Sequence, residues 1–235
     1  KNLYVEGMLH DISFSAYKGE ILGIAGLMGA GRTELARTIL GDLAFCSGQI
    51  LMAGKEVKFS IPEKAIKEGI GYATEDRKNE GLLLDQSVKD NMLLSAYQQF
   101  VNKLGLVDEK KANKETDLYI DSLNIKTTGR EQVVSSLSGG NQQKVILSRC
   151  LVSNVKLLLL DEPTRGVDVG AKVEIYQLIY QLIQKGVAVI VISSELPEIL
   201  GICDRILVMN HGRITADLPN VDLSQEKLFQ YATME

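Results

Sequence analysis

E-I-L-G-I-A-G-L-M-G-A-G-R-T, residues 20–33, is the stretch whose reading decides the fold. Residues 20–25 form a short apolar run of strand character, glycines recur at 26, 29 and 31, and a helix opens near Arg32. Leu35, Ala36, Ile39 and Leu40 make that helix's apolar stripe, and Gly41 stands where a C-terminal cap belongs. Strand, glycine loop and helix in that order are the context of a phosphate-gripping loop. Gly26, Gly29 and Gly31 let the backbone turn sharply and aim N–H groups at an anion, and the helix N-terminus adds the positive end of its dipole. Thr33 offers a hydroxyl to Mg2+, and Arg32 is the cation beside the phosphates where such loops carry lysine. Taken alone, the stretch is also readable as an ordinary tight strand-to-helix turn.

Two further motifs work against that plainer reading. Leu157–Leu160 followed by Asp161-Glu162 is an apolar strand delivering two carboxylates at its carboxyl end. Asp161 can hold Mg2+ through water, and Glu162 can polarise an attacking water. L-S-G-G-N-Q-Q-K (137–144) then opens a helix with Val145, Ile146, Cys150 and Leu151 at its apolar positions. A Ser-Gly-Gly helix start presents bare N–H groups and a hydroxyl, a second feature suited to an anion.

The rest of the chain supplies the scaffold. V-A-V-I-V-I (187–192) is a second fully apolar strand, of the kind buried inside a parallel sheet. An amphipathic helix carrying Ile175, Tyr176, Ile179, Leu182 and Ile183 lies between the two strands and ends at Gly186. Residues 1–20 and 45–60 read as short β segments broken by glycines, including Gly48 and Gly54. The stretch from about 77 to 150 reads as a mostly helical insert. It opens with a capping box at Ser87–Asp90, before a helix running to about Phe100, and continues through the charged helix 108–117. A last strand, Arg205–Met209, and a helix after Asp222 complete the pattern. Alternating β and α elements imply an open α/β sheet with ligands at the carboxyl ends of its strands.

Composition narrows the function classes. Apolar residues are 45% and charged residues 24% of the 235, the balance of a folded soluble domain. A formal net charge of −4 argues against a nucleic-acid partner, which calls for a basic face. No apolar run approaches the roughly 18 residues that span a bilayer, so any membrane role comes through a partner. The N-terminus K-N-L-Y-V-E-G-M has neither signal-peptide shape nor an initiator Met, which suggests a piece of a longer protein. Cys46, Cys150 and Cys203, with no C-x-x-C spacing, read as reduced core thiols of a cytosolic protein.

Together these motifs resemble the nucleotide-binding domain of an ABC transporter, over nearly the whole chain. G-L-M-G-A-G-R-T matches the Walker A position, L-L-L-L-D-E the Walker B, and L-S-G-G-N the family signature, in the family's order. The resemblance implies an α/β P-loop NTPase core with a small antiparallel β subdomain and an inserted α-helical subdomain, one domain over 1–235. It makes Gly26, Leu27, Met28, Gly29, Ala30, Gly31, Arg32 and Thr33 nucleotide-binding, and Thr33 and Asp161 the Mg2+ residues. Glu162 becomes the catalytic carboxylate, and R-G-V-D-V (165–169) becomes the D-loop with Asp168 its aspartate. Tyr4 is placed either as the aromatic that stacks on adenine or as a plain strand tyrosine. Leu137, Ser138, Gly139, Gly140 and Asn141 would meet an ATP held by a partner domain, because two such domains close head to tail.

The departures narrow the resemblance. Arg32 replaces the Walker A lysine, Ser194 stands where a switch histidine is expected, and I-G-Y-A-T-E-D-R-K (70–78) offers Glu75 or Thr74 for the usual glutamine. This set resembles the second, C-terminal half of double-domain ATPases that drive bacterial importers of simple sugars such as ribose or galactose. Arginine binds phosphate but, being planar and larger, cannot occupy lysine's point. The histidine's contact to the γ-phosphate is gone, and Glu75 brings negative charge toward Mg-ATP. The expectation is a site that binds ATP better than it hydrolyses it, with an intact signature serving the other ATPase half. The resemblance also implies membrane permease subunits as partners, a periplasmic or extracellular sugar-binding protein reached indirectly, and a peripheral place on the cytoplasmic face of the membrane. Alternatives are a fully competent transporter ATPase, a non-hydrolysing nucleotide sensor, and a soluble ABC protein of translation or DNA repair, which the acidic balance opposes.

Overall fold

The computed structural model describes residues 1–103 and 105–234. In chain order its strands are β1 (Leu3–Val5), β2 (Leu9–Ile12), β3 (Ile21–Gly26), β4 (Ile50–Met52), β5 (Lys55–Val57), β6 (Ile70–Ala73), β7 (Leu157–Asp161), β8 (Ala188–Ile192), β9 (Arg205–Asn210) and β10 (Arg213–Pro219). Its α-helices are α1 (Arg32–Leu40), α2 (Pro62–Glu68), α3 (Val88–Leu93), α4 (Glu109–Ser122), α5 (Gly139–Val152), α6 (Val169–Gln184), α7 (Leu196–Ile202) and α8 (Gln225–Ala232). The chain divides into two compact units, one built from residues 1–72, 156–162 and 181–234, the other from 73–155 and 163–180.

The first unit is organised by a six-stranded sheet of order β10-β9-β3-β8-β7-β6. Strands β9, β3, β8 and β7 run parallel, and β10 pairs antiparallel with β9. The central strands are apolar on both faces because both faces are covered: Ile21, Leu22, Ile24, Leu158–Leu160 and Val189–Ile192 are all buried. Each such side chain contributes roughly 1.5–3 kcal/mol on burial. Gly23 is part of that packing, since a Cβ there would sit 2.8 Å from Cys203 Sγ. The hairpins β1–β2 and β4–β5 are both antiparallel, and Leu3, Val5, Leu9 and Ile12 join the same hydrophobic core as the main sheet. In-register pairing of Asp161 with Ile192, and of Ile24 with Ile192, brings the carboxyl ends of β7, β8 and β3 side by side.

In the second unit Leu93, Ala96, Phe100, Ala112 and Val152 form the core between α3, α4 and α5. Ser87 caps α3 by accepting the Asp90 N–H at 3.0 Å. The expected single helix to Phe100 instead tightens after Leu93 into a 3-10 segment, Leu94–Phe100. The charged stretch forms α4, capped by Asp108 and longer than expected.

Two sequence expectations are corrected. Arg205–Met209 is not the last strand: β10 follows it across a two-residue turn in which His211 and Gly212 both take positive φ, the geometry of a tight hairpin. R-I-T-A-D-L-P hides its strand character because it is a half-exposed edge with a bulge between Ile214 and Ala216. Cys46 is not a core thiol. It is exposed in the segment before β4, where its N–H donates to Tyr4 O at 2.8 Å, while Cys150 and Cys203 are buried.

Candidate functional site

The glycine loop is built at the end of β3. Gly26 is obligatory there, because a Cβ would lie 2.5 Å from Met209 O. Gly29 and Gly31 take φ of 79° and 97°, the left-handed region that favours glycine. Gly31 caps α1 without any side-chain hydrogen bond, so the first-turn N–H groups of α1 stay open to an anion. Met28 is 98% exposed and Leu27 half-exposed at the loop tip, whereas Ala30 is buried.

Arg32 turns toward the end of β7. Its Nη2 lies 3.8 Å from Glu162 Oε1, with the two side chains only 12% and 10% exposed, and its Nη1 is buried with no partner among the described residues. Glu162 adopts φ +47°, uncommon for a residue with a side chain, and its N–H donates to Ile192 O at 2.8 Å. Its Oε1 also accepts the Ser194 N–H at 2.7 Å. The carboxylate expected to polarise water is thus held from both sides, by the Arg32 cation and by the Ser194 main chain. The chain's two histidines, His10 and His211, instead line a hollow of about 280 Å3 with Gly29, Gly31 and Glu34.

Asp161 is buried. Its Oδ2 accepts the Tyr72 hydroxyl at 3.1 Å, and its Oδ1 has no partner among the described residues. Burial raises its pKa above the ordinary carboxylate value, opposed by hydrogen bonds from the Thr33 and Tyr72 hydroxyls and by the Arg32 charge, and reinforced by the Glu162 charge. An orphaned buried carboxylate oxygen beside a threonine hydroxyl fits a hard divalent cation. No group of three His, Cys, Asp or Glu able to hold a metal occurs among the described residues. A protein contribution of one carboxylate and one hydroxyl is what Mg2+ needs when phosphates and water supply the rest. Tyr72 carried no sequence signal, because nothing in I-G-Y-A ties it to an aspartate 89 residues later. Tyr4 is 38% exposed in β1, its ring tilted over His10 at 5.8 Å between centroids.

The signature lies in the second unit. Ser138 is the N-cap of α5 but makes no side-chain cap bond, leaving the opening N–H groups of that helix free as well. Its Oγ accepts from Asn141 Nδ2 at 2.8 Å, and Asn141 Oδ1 accepts the Lys126 N–H at 2.9 Å. Asn141 therefore anchors the serine hydroxyl, a role the sequence did not reveal. Leu137 is buried beneath the turn, and a Cβ on Gly140 would come within 2.6 Å of Ala171 Cβ. Asp168 Oδ1 accepts the Ala171 N–H at 3.0 Å, capping α6. Glu75 forms an ion pair with Arg165, while Thr74 is buried with its hydroxyl on Glu80 Oε2 at 3.0 Å, which leaves Glu75 the more exposed of the two.

The ABC transporter family model matches residues 9–165. The ribose import ATP-binding protein RbsA of Lactococcus lactis subsp. lactis is 54% identical over 223 residues, 95% of this chain and 45% of that protein. That of Caldanaerobacter subterraneus subsp. tengcongensis is 49% identical over 228 residues, 97% of this chain and 46% of the relative. A putative ribose/galactose/methyl galactoside import ATP-binding protein of Halalkalibacterium halodurans is 48% identical over 99% of this chain and 44% of its own length. The chain thus spans less than half the length of these relatives. Among solved structures, a nucleotide-free ATP-binding cassette from an ABC transporter aligns over 100% of this chain and 94% of its own, with a TM-score of 0.82 at 22% identity. A dimeric cassette in a post-hydrolysis state with ADP and phosphate aligns over 94% and 96%, with a TM-score of 0.79 at 19% identity. With the glycine loop, the paired carboxylates and the signature in one α/β fold, the chain belongs to the ABC transporter family as an ATP-binding cassette domain.

Proposed function

We propose that this chain is the C-terminal ATPase half of a bacterial importer of a simple sugar, of the ribose or galactose kind. In this reading it binds Mg-ATP at a site of its own that is weak in hydrolysis, and it lends its signature to the ATP of the other half. The names of the relatives, and the fraction of their length that the chain spans, support the sugar-import reading. The single observation that carries the division of labour is the Arg32–Glu162 pair, with Ser194 N–H on the same carboxylate oxygen. A carboxylate already engaged by a guanidinium and a main-chain N–H must give up those contacts before it can turn to an attacking water.

In this scheme the residues 26–33 grip the phosphates through their N–H groups, Tyr4 stacks on adenine, and Thr33 and Asp161 hold Mg2+. The ion, once bound, supplies the positive charge that offsets the phosphates. Ser194 stands at the γ-phosphate side, Glu75 takes the place of the family's glutamine, and Asp168 serves the junction with the other half. Leu137, Ser138, Gly139, Gly140 and Asn141 face the partner's nucleotide. The importer adds membrane permease subunits and, indirectly, an external sugar-binding protein, and the chain sits peripherally on the cytoplasmic side of the membrane. No helix among the described residues is long and apolar enough to cross the membrane itself.

The test is steady-state Mg-ATP hydrolysis by this chain, beside Glu162→Gln and an ATP-binding titration. The expected result is binding with turnover no higher than that of the Glu162→Gln control. Turnover well above the control would refute the impaired site and favour a fully competent ATPase, a reading that intact Glu162, Asp161 and Thr33 keep open.

A further inference from the structure

Arg77, in the E-D-R-K stretch, has no part in the sites described so far, yet its guanidinium joins two of the motifs. It opens a single π-helical turn, Arg77–Gly81, capped by Asp76, whose carboxylate accepts the N–H groups of Lys78 and Asn79 at 3.2 and 3.0 Å. From that fixed base Nη1 donates to Gly139 O at 2.8 Å, and Nη2 donates to Arg165 O at 2.9 Å. Gly139 is the first residue of α5, directly after Ser138, and Arg165 opens R-G-V-D-V. The contact is close-fitting: a Cβ on Gly139 would stand 3.4 Å from Nη1, and one on Gly166 would stand 3.3 Å from Nη2. The neighbouring Glu75 pairs with the side chain of Arg165, so residues 75–77 hold residue 165 by both side chain and main chain.

A trans peptide is planar, and its C=O and N–H point in opposite directions. Fixing the Gly139 carbonyl therefore fixes the direction of the Gly140 N–H, one of the first-turn donors of α5 that has no intrahelical partner. A Gly-Gly helix start has no side chains of its own to hold that direction. Fixing the Arg165 carbonyl does the same for the Gly166 N–H in the turn before Asp168. Lysine cannot substitute, because a compact ammonium lacks the planar fork that reaches two divergent carbonyls at once.

We propose that Arg77 is a positioning residue for the signature, aiming the Gly140 N–H at the ATP held by the partner half. This rests on the reading that the signature completes that site. The test uses the full-length two-half ATPase in its transporter complex, comparing wild type with Arg77→Lys, Arg77→Ala and the signature control Ser138→Ala. Measured are kcat and KM for ATP, thermal melting, and amide exchange at residues 139–142. Expected for Arg77→Lys is a kcat lowered by about 10- to 100-fold, as for loss of one or two charge-assisted hydrogen bonds, with KM within about threefold of wild type. Faster exchange at 139–142 with unchanged melting accompanies it, a split that a general folding defect does not produce. If Arg77→Ala fails to fold, the lysine variant alone decides the outcome. A Ser138→Ala control that loses turnover while Arg77→Lys keeps kcat, or keeps exchange unchanged, overturns the role of Arg77 and leaves the signature reading intact. A control that keeps full turnover overturns the signature reading, and the inference with it.

Discussion

Removing the guanidinium of Arg32 should destabilise the chain through Glu162, and the size of the effect can be worked from the pair's geometry. At 3.8 Å and an effective dielectric of about 20, the gross attraction is about 4 kcal/mol. Both side chains are about nine-tenths buried, so desolvation offsets most of it. The contact is also single rather than forked, since Nη1 finds no partner among the described residues. A fully buried pair broken on one side costs about 3–5 kcal/mol and an exposed pair about 0–1 kcal/mol. Glu162 keeps the 2.7 Å bond from Ser194 N–H, which places Arg32→Met between these limits at about 2 kcal/mol. In a chain of this length that is a fall in Tm of about 4–8 °C. Glu162→Gln removes the charge that needs the cation, so the double variant Arg32→Met/Glu162→Gln should recover part of the loss, with a coupling energy of about 1–2 kcal/mol. Urea denaturation of the four proteins without nucleotide measures the cycle. A coupling energy within error of zero would refute the pairing and leave the Ser194 N–H alone to restrain the Glu162 carboxylate.

Three other outcomes are expected. Gly140→Ala places a methyl 2.6 Å from Ala171 Cβ and should cost about 1–3 kcal/mol, with Ala171→Gly restoring most of it; failure of that rescue in denaturant melts would show that the overlap is not the cause. Asp161→Asn should stabilise the nucleotide-free chain. The folded-state pKa of Asp161 is raised by burial above its unfolded value of 3.8, so wild type loses stability as the pH rises from that value through the folded pKa. The gap between variant and wild type should therefore widen from pH 4 toward neutrality, and Mg-ATP should close it for wild type only. A melting difference independent of pH would contradict the buried charge. Asn141→Ala frees the Ser138 hydroxyl and strands the Lys126 N–H. It should cost about 1 kcal/mol and lower turnover of the assembled two-half protein; unchanged turnover would show that the serine needs no anchor.

How much of this was legible in the sequence depends on how local each determinant is. The strand–loop–helix over 20–41 needs only neighbouring residues: buried strand residues, glycines at positive φ, and an apolar stripe closed by Gly41. The parallel strands β7 and β8 are equally readable, since a run buried on both faces must be apolar throughout. β10 escaped because an edge strand with a bulge shows neither alternation nor a continuous run. The 3-10 segment after α3 escaped because helical periodicity does not separate it from an α-helix.

The site divides along the same line. Residue types and their spacing marked Arg32, Asp161, Glu162 and Ser138 as a set, but the direction in which a long side chain points is decided by partners far along the chain. Arg32 reads as a phosphate ligand while only its own loop is considered. With Glu162 in place it has a nearby carboxylate to neutralise, and a cation held at 3.8 Å from that group must give up the contact before it can serve a phosphate. An incoming triphosphate carries more charge than one carboxylate and competes for the same guanidinium. Nucleotide binding should therefore release Glu162 from Arg32 while leaving it on Ser194 N–H. The Ser194 N–H bond is then a restraint on the Glu162 carboxylate that ATP itself does not displace. On the proposed reading of a site weak in hydrolysis, the Arg32 contact restrains Glu162 before ATP arrives and the Ser194 N–H restrains it afterwards.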